Sequence, residues 1–231
     1  MRLNIGQLLL GSRRAGEVMA NGAGQTFNGI DEYAYVADNG DLDIAEAITD
    51  FCFGGYIKTG SDITTGAYVF GKSVAGSMIG RYGFIISSGI LKCIIQPSED
   101  SITIDDNISF AINTEYHLLI RIDLTGKKIY FYIDNVLQNT GGLAFTGTFA
   151  TMENKFEFIL GGGNNSTGTT ASLFFSGQLR DVRIYHKDVS SSVNQTAWMA
   201  GKKLGDEIAW WNLPTLTGYD GTDYDLTGVN L

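Results

Sequence analysis

The residues of this chain best suited to chemistry are acidic. Asp41-Leu42-Asp43-Ile44-Ala45-Glu46 sets three carboxylates close together. Paired carboxylates are the machinery of glycoside hydrolysis, in which one protonates the leaving group and the other attacks or activates water. A retaining pair needs a separation of about 5–5.5 Å and one carboxyl of raised pKa. Other reaction types lack their parts. His117 and His186 are the two histidines, and each stands in a strand-like run without Cys, His or carboxylate partners at ligand spacing, which argues against zinc and Ser-His-Asp chemistry. Gly161-Gly162-Gly163 followed by Asn164-Asn165-Ser166-Thr167-Gly168 lacks the Lys-Ser/Thr pair and following helix of a phosphate loop. It suits an inter-strand loop.

Aromatic rings form the second group. Trp198, Trp210, Trp211, Tyr33, Tyr35, Tyr130 and Tyr132 offer faces on which the C–H side of a sugar can stack, and a folded core would claim most of them. Tyr130 and Tyr132 alternate with the apolar Ile129, Phe131 and Ile133, so they are the best outward-facing pair. Tyr219 and Tyr224, in the Asp/Gly-rich stretch from Gly218 to Leu231, join them as expected ligand-binding residues.

The elements that must carry these residues are strands. In Tyr116-His117-Leu118-Leu119-Ile120-Arg121-Ile122-Asp123, apolar residues at even positions oppose His117, Arg121 and Asp123, as in a half-buried strand. A turn at Leu124-Thr125-Gly126-Lys127 leads into Lys128–Ile133, giving a hairpin, and Asp134-Asn135 tolerates the left-handed backbone of a second tight turn. Further strands are expected at 25–36, 49–58, 67–72, 82–87, 91–96, 101–105, 155–160 and 173–185. Short strands separated by Gly, Asn, Asp and Ser with hardly any helix predict an all-β, antiparallel two-sheet sandwich. One short C-terminal helix is expected, capped by Ser191 or Ser192, with Val193, Ala197, Trp198 and Leu204 inward and Gly201 and Gly205 ending it.

Composition sets the limits. With 44% hydrophobic and 18% charged residues, 30 Gly and 2 Pro in 231 residues, the chain is globular and turn-rich, and its length fits one large sandwich. Its apolar runs fall far short of the ~20 residues of a membrane helix, so no membrane insertion is expected. A net charge of −9 opposes a phosphate backbone and argues against nucleic acid. Gly6 and Gln7 break the amino-terminal apolar stretch, and Arg13-Arg14 follows it, which makes a poor signal peptide. Residues 1–24 are either a linking arm or an extra strand ahead of a domain over 25–231. Cys52 and Cys93 lie in apolar runs and suit buried free thiols.

Three segments, in order, resemble laminin-G-like jelly-roll domains of the concanavalin A-like lectin and glucanase superfamily. They are Phe27-Asn28-Gly29-Ile30-Asp31-Glu32-Tyr33-Ala34-Tyr35-Val36 with Asp50–Lys58; Tyr116–Ile120 with Lys128–Leu137; and Phe174–Tyr185, which is similar to the family's "F-x-G-x-I-D-E-V-R-I-Y" strand. Ile208–Leu213 and Asp225–Gly228 resemble a strand that normally opens such domains. The resemblance implies a concanavalin A-like jelly roll. It implies calcium at one rim, with Asp38, Asn39, Asp41 and Asp43 as candidate ligands and Asp105, Asp106 and Asn107 as a second cluster. Glucanases of this fold carry Glu-x-Asp-x-x-Glu where this chain has Asp41, one methylene shorter, in a stretch that the resemblance places in a loop. The expectation is therefore a non-catalytic, lectin-like binding module for glycans or a host-surface polysaccharide. Its expected setting is the surface of a phage or virus particle, as capsid decoration or tail, docked to other virion proteins through residues 1–24, with self-association left open. The alternatives are a secreted or cell-surface lectin and, behind it, a glucan hydrolase.

Overall fold

The structure is a computed structural model that describes residues 24–44, 48–63, 65–72, 82–96, 102–104, 109–146, 156–164, 171–213 and 227–231. In chain order its strands are β1 (Gln25–Asn28), β2 (Tyr33–Val36), β3 (Asp50–Thr59), β4 (Ala67–Lys72), β5 (Tyr82–Ser87), β6 (Ile90–Ile95), β7 (Ile102–Ile104), β8 (Glu115–Asp123) and β9 (Lys128–Ile133). They continue with β10 (Val136–Leu137), β11 (Leu143–Ala144), β12 (Phe158–Leu160), β13 (Gly163–Asn164), β14 (Ala171–Ser172), β15 (Ser176–Tyr185), β16 (Glu207–Trp211) and β17 (Thr227–Val229). A 3-10 turn spans Gly40–Leu42, and helix α1 spans Ser192–Met199.

Two antiparallel sheets face each other. The first runs β1-β15-β3-β8-β9-β10, with β16 on β15 and β11 on β9; the second runs β17-β2-β12-β4-β5-β6-β7. Between them Phe51, Phe53, Ile120, Ile122, Ile129 and Phe131 meet Phe70, Tyr82, Phe84 and Phe158 in one buried core. The Phe53 ring lies 5.0 Å from Tyr82 and 5.2 Å from Phe84. Each such side chain gains about 1.5–3 kcal/mol by leaving water, and the expected jelly-roll sandwich is the arrangement that buries them all.

The β8–β9 hairpin follows the alternation in its sequence, with Ile120 opposite Phe131 and Ile122 opposite Ile129. Asp134 and Asn135 both have positive φ, 49° and 65°, as the turn between β9 and β10 requires. Asp134 also accepts a hydrogen bond from the His117 main chain at 2.8 Å. The expected strand over 25–36 is instead two strands in different sheets. Asn28 Oδ1 accepts from the main-chain N–H groups of Ile30, Asp31 and Glu32, and Gly29 turns at φ 75°. That knot diverts the chain from β1 in one sheet to β2 in the other.

Helix α1 lies over the outer face of the first sheet. Ser191 caps it, accepting from Asn194 N–H at 3.2 Å, and Gly201 ends it at φ 69°. Its sheet side is Gln195 and Trp198, not Val193, which is 76% exposed. Val193 lies two positions, or about 200° of helix rotation, from Gln195, which turns it away. Trp198, Cys52, Leu119, Tyr185 and Val189 make a second buried cluster beneath the helix, with Tyr132 and Leu204 against it. A sheet covered on both faces explains why β3 is buried almost throughout. Both cysteines are free and buried. Residues 1–23, Glu46, Asp105–Asn107, Tyr219 and Tyr224 lie outside the described residues.

Candidate functional site

Asp38, Asn39 and Asp43 do converge, and they converge on a cation that the chain itself supplies. Lys72, the last residue of β4, is fully buried; its Nζ lies 2.9 Å from Asp38 Oδ1 and 2.7 Å from Asp43 Oδ1, and donates to the Asn39 carbonyl at 3.4 Å. Asn39 Oδ1 is committed elsewhere, accepting from Asp41 N–H at 3.0 Å to cap the 3-10 turn. The Tyr82 hydroxyl donates to the Leu42 carbonyl and ties the same turn to β5. An ammonium group thus sits among the oxygens expected to hold calcium, paired with the buried Asp43 and with Asp38, which is 41% exposed. Among the described residues no cluster of three or more His, Cys, Asp or Glu is disposed to hold a metal. The same pairing takes Asp43 away from the acid–base role considered for the Asp41–Glu46 stretch.

Tyr130 and Tyr132 point away from the core, as their alternation predicts, but the face they join is not free. Tyr132 packs on the cluster beneath α1. Tyr130 lies under the Arg121 guanidinium, 5.1 Å from its ring centre, and Arg121 is itself held by Asp50 at 2.8 Å and Asp188 at 3.2 Å. The period-2 pattern reports which side of a sheet a residue takes, and here the cluster beneath a helix remote in sequence meets Tyr132 while Arg121 lies over Tyr130.

Under the helix lies a polar layer. Arg183 is fully buried, bidentate to Asp181 at 2.7 and 3.0 Å, donating to the Lys202 carbonyl at 2.6 Å and stacked 3.8 Å over Trp210. Beside it His117 is 0% exposed, edge-on to Tyr56 and Trp198 at 4.9 and 5.2 Å. Neither ring nitrogen has a hydrogen-bond partner among the described residues. Burial, then the charges of Arg183 and Arg180, push its pKa down to about 3, so the ring is neutral at physiological pH and its environment disfavours a proton. These groups are sealed from solvent and hold α1 to the sheet.

An accessible constellation lies on the outer face of the second sheet. On β2, Ala34 and Val36 enter the core while Tyr33 and Tyr35 take the other side, half-buried. Tyr35 sits between Thr227 of β17 and Ile159 of β12, and Tyr33 opposite Val229. The Tyr33 ring centre lies 6.2 Å from Tyr35 and 5.9 Å from Phe174, both tilted. Glu157 precedes β12, and alternation with the buried Phe158 puts it on the same side as Ile159. Burial raises the Glu157 pKa, and burial, then the charges of Glu157 and Tyr35, raise that of Tyr33. The result is an aromatic shelf with a partly desolvated carboxylate at its side. Ile30 and Leu173, 74% and 46% exposed, lie three residues before Tyr33 and one before Phe174 in the chain. Sequence reasoning named Tyr33 and Tyr35 among the rings but missed Phe174 and Glu157. The alternation Glu157-Phe158-Ile159-Leu160 carried the signal for the second.

Among solved structures the chain is similar to the native heptameric SAP-like pentraxin of Limulus polyphemus, with TM-score 0.60 and 13% identity over 88% of this chain and 92% of that one. It is similar to a carbohydrate binding protein of Bacteroides ovatus described as putative, with TM-score 0.56 and 11% identity over 88% of this chain and 56% of that one. A third is the CBM40 of the Ruminococcus gnavus IT-sialidase, with TM-score 0.53 and 14% identity over 78% and 98%; that module has also been solved bound to α2,3 and α2,6 sialyllactose. At such identities the likeness is one of fold. No curated protein matches the sequence. A laminin-G profile matches residues 28–192, and over that span the chain belongs to the concanavalin A-like lectin/glucanases superfamily.

Proposed function

We propose that this protein is a non-catalytic glycan-binding module that takes its ligand on the Tyr33–Tyr35–Phe174 shelf. The observation that carries the reading is the coexistence, on one accessible sheet face, of three neighbouring rings and a carboxylate. The rings offer faces to the C–H side of a pyranose, and Glu157 accepts hydrogen bonds from sugar hydroxyls. The carbohydrate-binding relatives in fold support it by analogy. A virus-particle setting, with residues 1–24 as the docking arm, rests on the sequence alone: an acidic surface keeps repeated copies soluble.

The test is a broad glycan array probed with the full-length chain, with calcium and with chelator, followed by mass spectrometry of bound sugars. Binding without cleavage is expected. Each ring face is worth about 0.5–1.5 kcal/mol, so the Tyr33→Ala/Tyr35→Ala double variant should bind roughly ten- to hundredfold more weakly at a temperature at which circular dichroism shows it folded. Unaltered binding by that variant would remove the shelf from the reading, and cleavage would return the Asp41–Glu46 carboxylates to consideration.

A further inference from the structure

The rings of the shelf stand in a row, and the row bears on how much of a glycan it takes, an inference that rests on the binding reading above. Tyr33 is the middle ring, 6.2 Å from Tyr35 and 5.9 Å from Phe174. The register puts Phe174 at the end away from Tyr35. Leu160 of β12 lies opposite Ala34 of β2 in an antiparallel pair, so Gly162 falls beyond the Tyr33 end of β2. A side chain begun at Gly162 would meet Phe174 Cδ1 at 3.4 Å, so the Phe174 ring rests against that glycine. The row therefore follows β2 and continues past its start. A pyranose is similar in size to a phenyl ring, so a sugar stacked on Tyr33 leaves Tyr35 and Phe174 to its neighbours in the chain. Successive ring planes are inclined by 31° and 37°. The flat face of a crystalline polysaccharide can lie on one such ring at a time, whereas a soluble chain turns at each glycosidic bond and can follow all of them.

We propose that the shelf is a run of subsites for consecutive sugars of a soluble linear glycan, with Phe174 forming the outermost subsite and so setting a preference for longer chains. Each further ring engaged adds a stacking contact without a second loss of translational freedom. Affinity therefore grows by about two- to tenfold for each ring covered.

The test is calorimetric titration of the full-length chain with cello-, laminari-, manno-, xylo- and chito-oligosaccharides of increasing length from the monosaccharide, beside pull-down on insoluble cellulose and chitin. In the series that binds, affinity should rise with each unit up to about three and then level. Phe174→Leu keeps an apolar side chain against Gly162 and removes the ring, so it should lose the gain from the second unit to the third, and Phe174→Tyr should restore it, with circular dichroism showing both variants folded. A monosaccharide bound as tightly as the trimer, or array binding that follows a shared terminal sugar whatever precedes it, overturns the row and leaves the binding function intact. Retention on the insoluble polysaccharides without binding of their soluble fragments overturns the choice of a soluble chain. A third-unit gain undiminished in Phe174→Leu overturns the role of Phe174. Failure of every series and of the glycan array overturns the binding reading itself.

Discussion

His117 makes the stability of this protein depend on pH in a way that a single substitution can isolate. In the unfolded chain the imidazole takes a proton near pH 6.5, whereas in the fold its pKa is pushed down to about 3. Between those values the unfolded state holds one proton more than the folded state, so this residue's contribution is fully present above pH 6.5 and lost as pH falls towards 3. Each pH unit in that window is worth about 1.4 kcal/mol, so going from pH 7 to 4.5 costs about 2–3 kcal/mol through His117 alone. For a chain of this length that is roughly 5–10 °C of melting temperature. His117→Phe keeps an aromatic ring edge-on to Tyr56 and Trp198 and removes the titration. Its absolute stability will differ through packing, so the quantity to read is the slope of unfolding free energy against pH, from urea titrations at closely spaced pH values. His186, whose pKa burial also lowers, remains in both proteins and cancels in the difference. Equal slopes for wild type and variant between pH 6.5 and 4.5 would refute the reasoning and mean that the His117 pocket opens to water at little cost.

Lys72→Met leaves the buried Asp43 carboxylate without its ammonium, a loss of about 3–5 kcal/mol, and Lys72→Met/Asp43→Asn should recover part of it in thermal unfolding. Because Lys72 fills the position between Asp38 and Asp43, calcium should not raise the wild-type melting temperature; a clear rise would show that the ion binds elsewhere or displaces the lysine. Burial raises both thiols above their ordinary range, so Cys52 and Cys93 should react with a thiol reagent only at the rate of unfolding, and fast labelling of the native protein would contradict their placement.

The sequence was most informative where structure is local. Alternation located the β8–β9 hairpin, and residue type located the Asp134-Asn135 turn and narrowed the helix cap to Ser191 or Ser192, of which Ser191 serves, because each depends on residues within a few positions of one another. What it could not supply was the partner across the fold. Lys72 lies 29 residues from Asp43 and 34 from Asp38, so an acidic stretch that looked ready for calcium gave no sign of the lysine already among its oxygens. Tyr132 and Arg183 alternate as outward residues should, yet both meet the cluster beneath α1 and Arg183 is fully buried. Tyr33 and Tyr35 are half-buried like Tyr130 and Tyr132, but no described helix covers their face. For the shelf, too, the third ring comes from Phe174, far along the chain.

The pairing of β1 with β15 has a consequence for how the chain reaches this state. Thr26 lies opposite Gln178, 152 positions away in sequence, and β2 takes its outer neighbour, β17, from Thr227–Val229. Strands made early on the ribosome must wait for partners made much later, and closing loops of that size slows folding well below the rate of a hairpin-only sheet. The β8–β9 hairpin and the β4-β5-β6 meander can form early, while β1 and β2 keep unpaired edges until β15 and β17 emerge. Yield on synthesis should therefore depend on how long those edges stay open, and slowing synthesis between residues 60 and 170 is the condition under which this sandwich would be most prone to pair with a neighbouring copy.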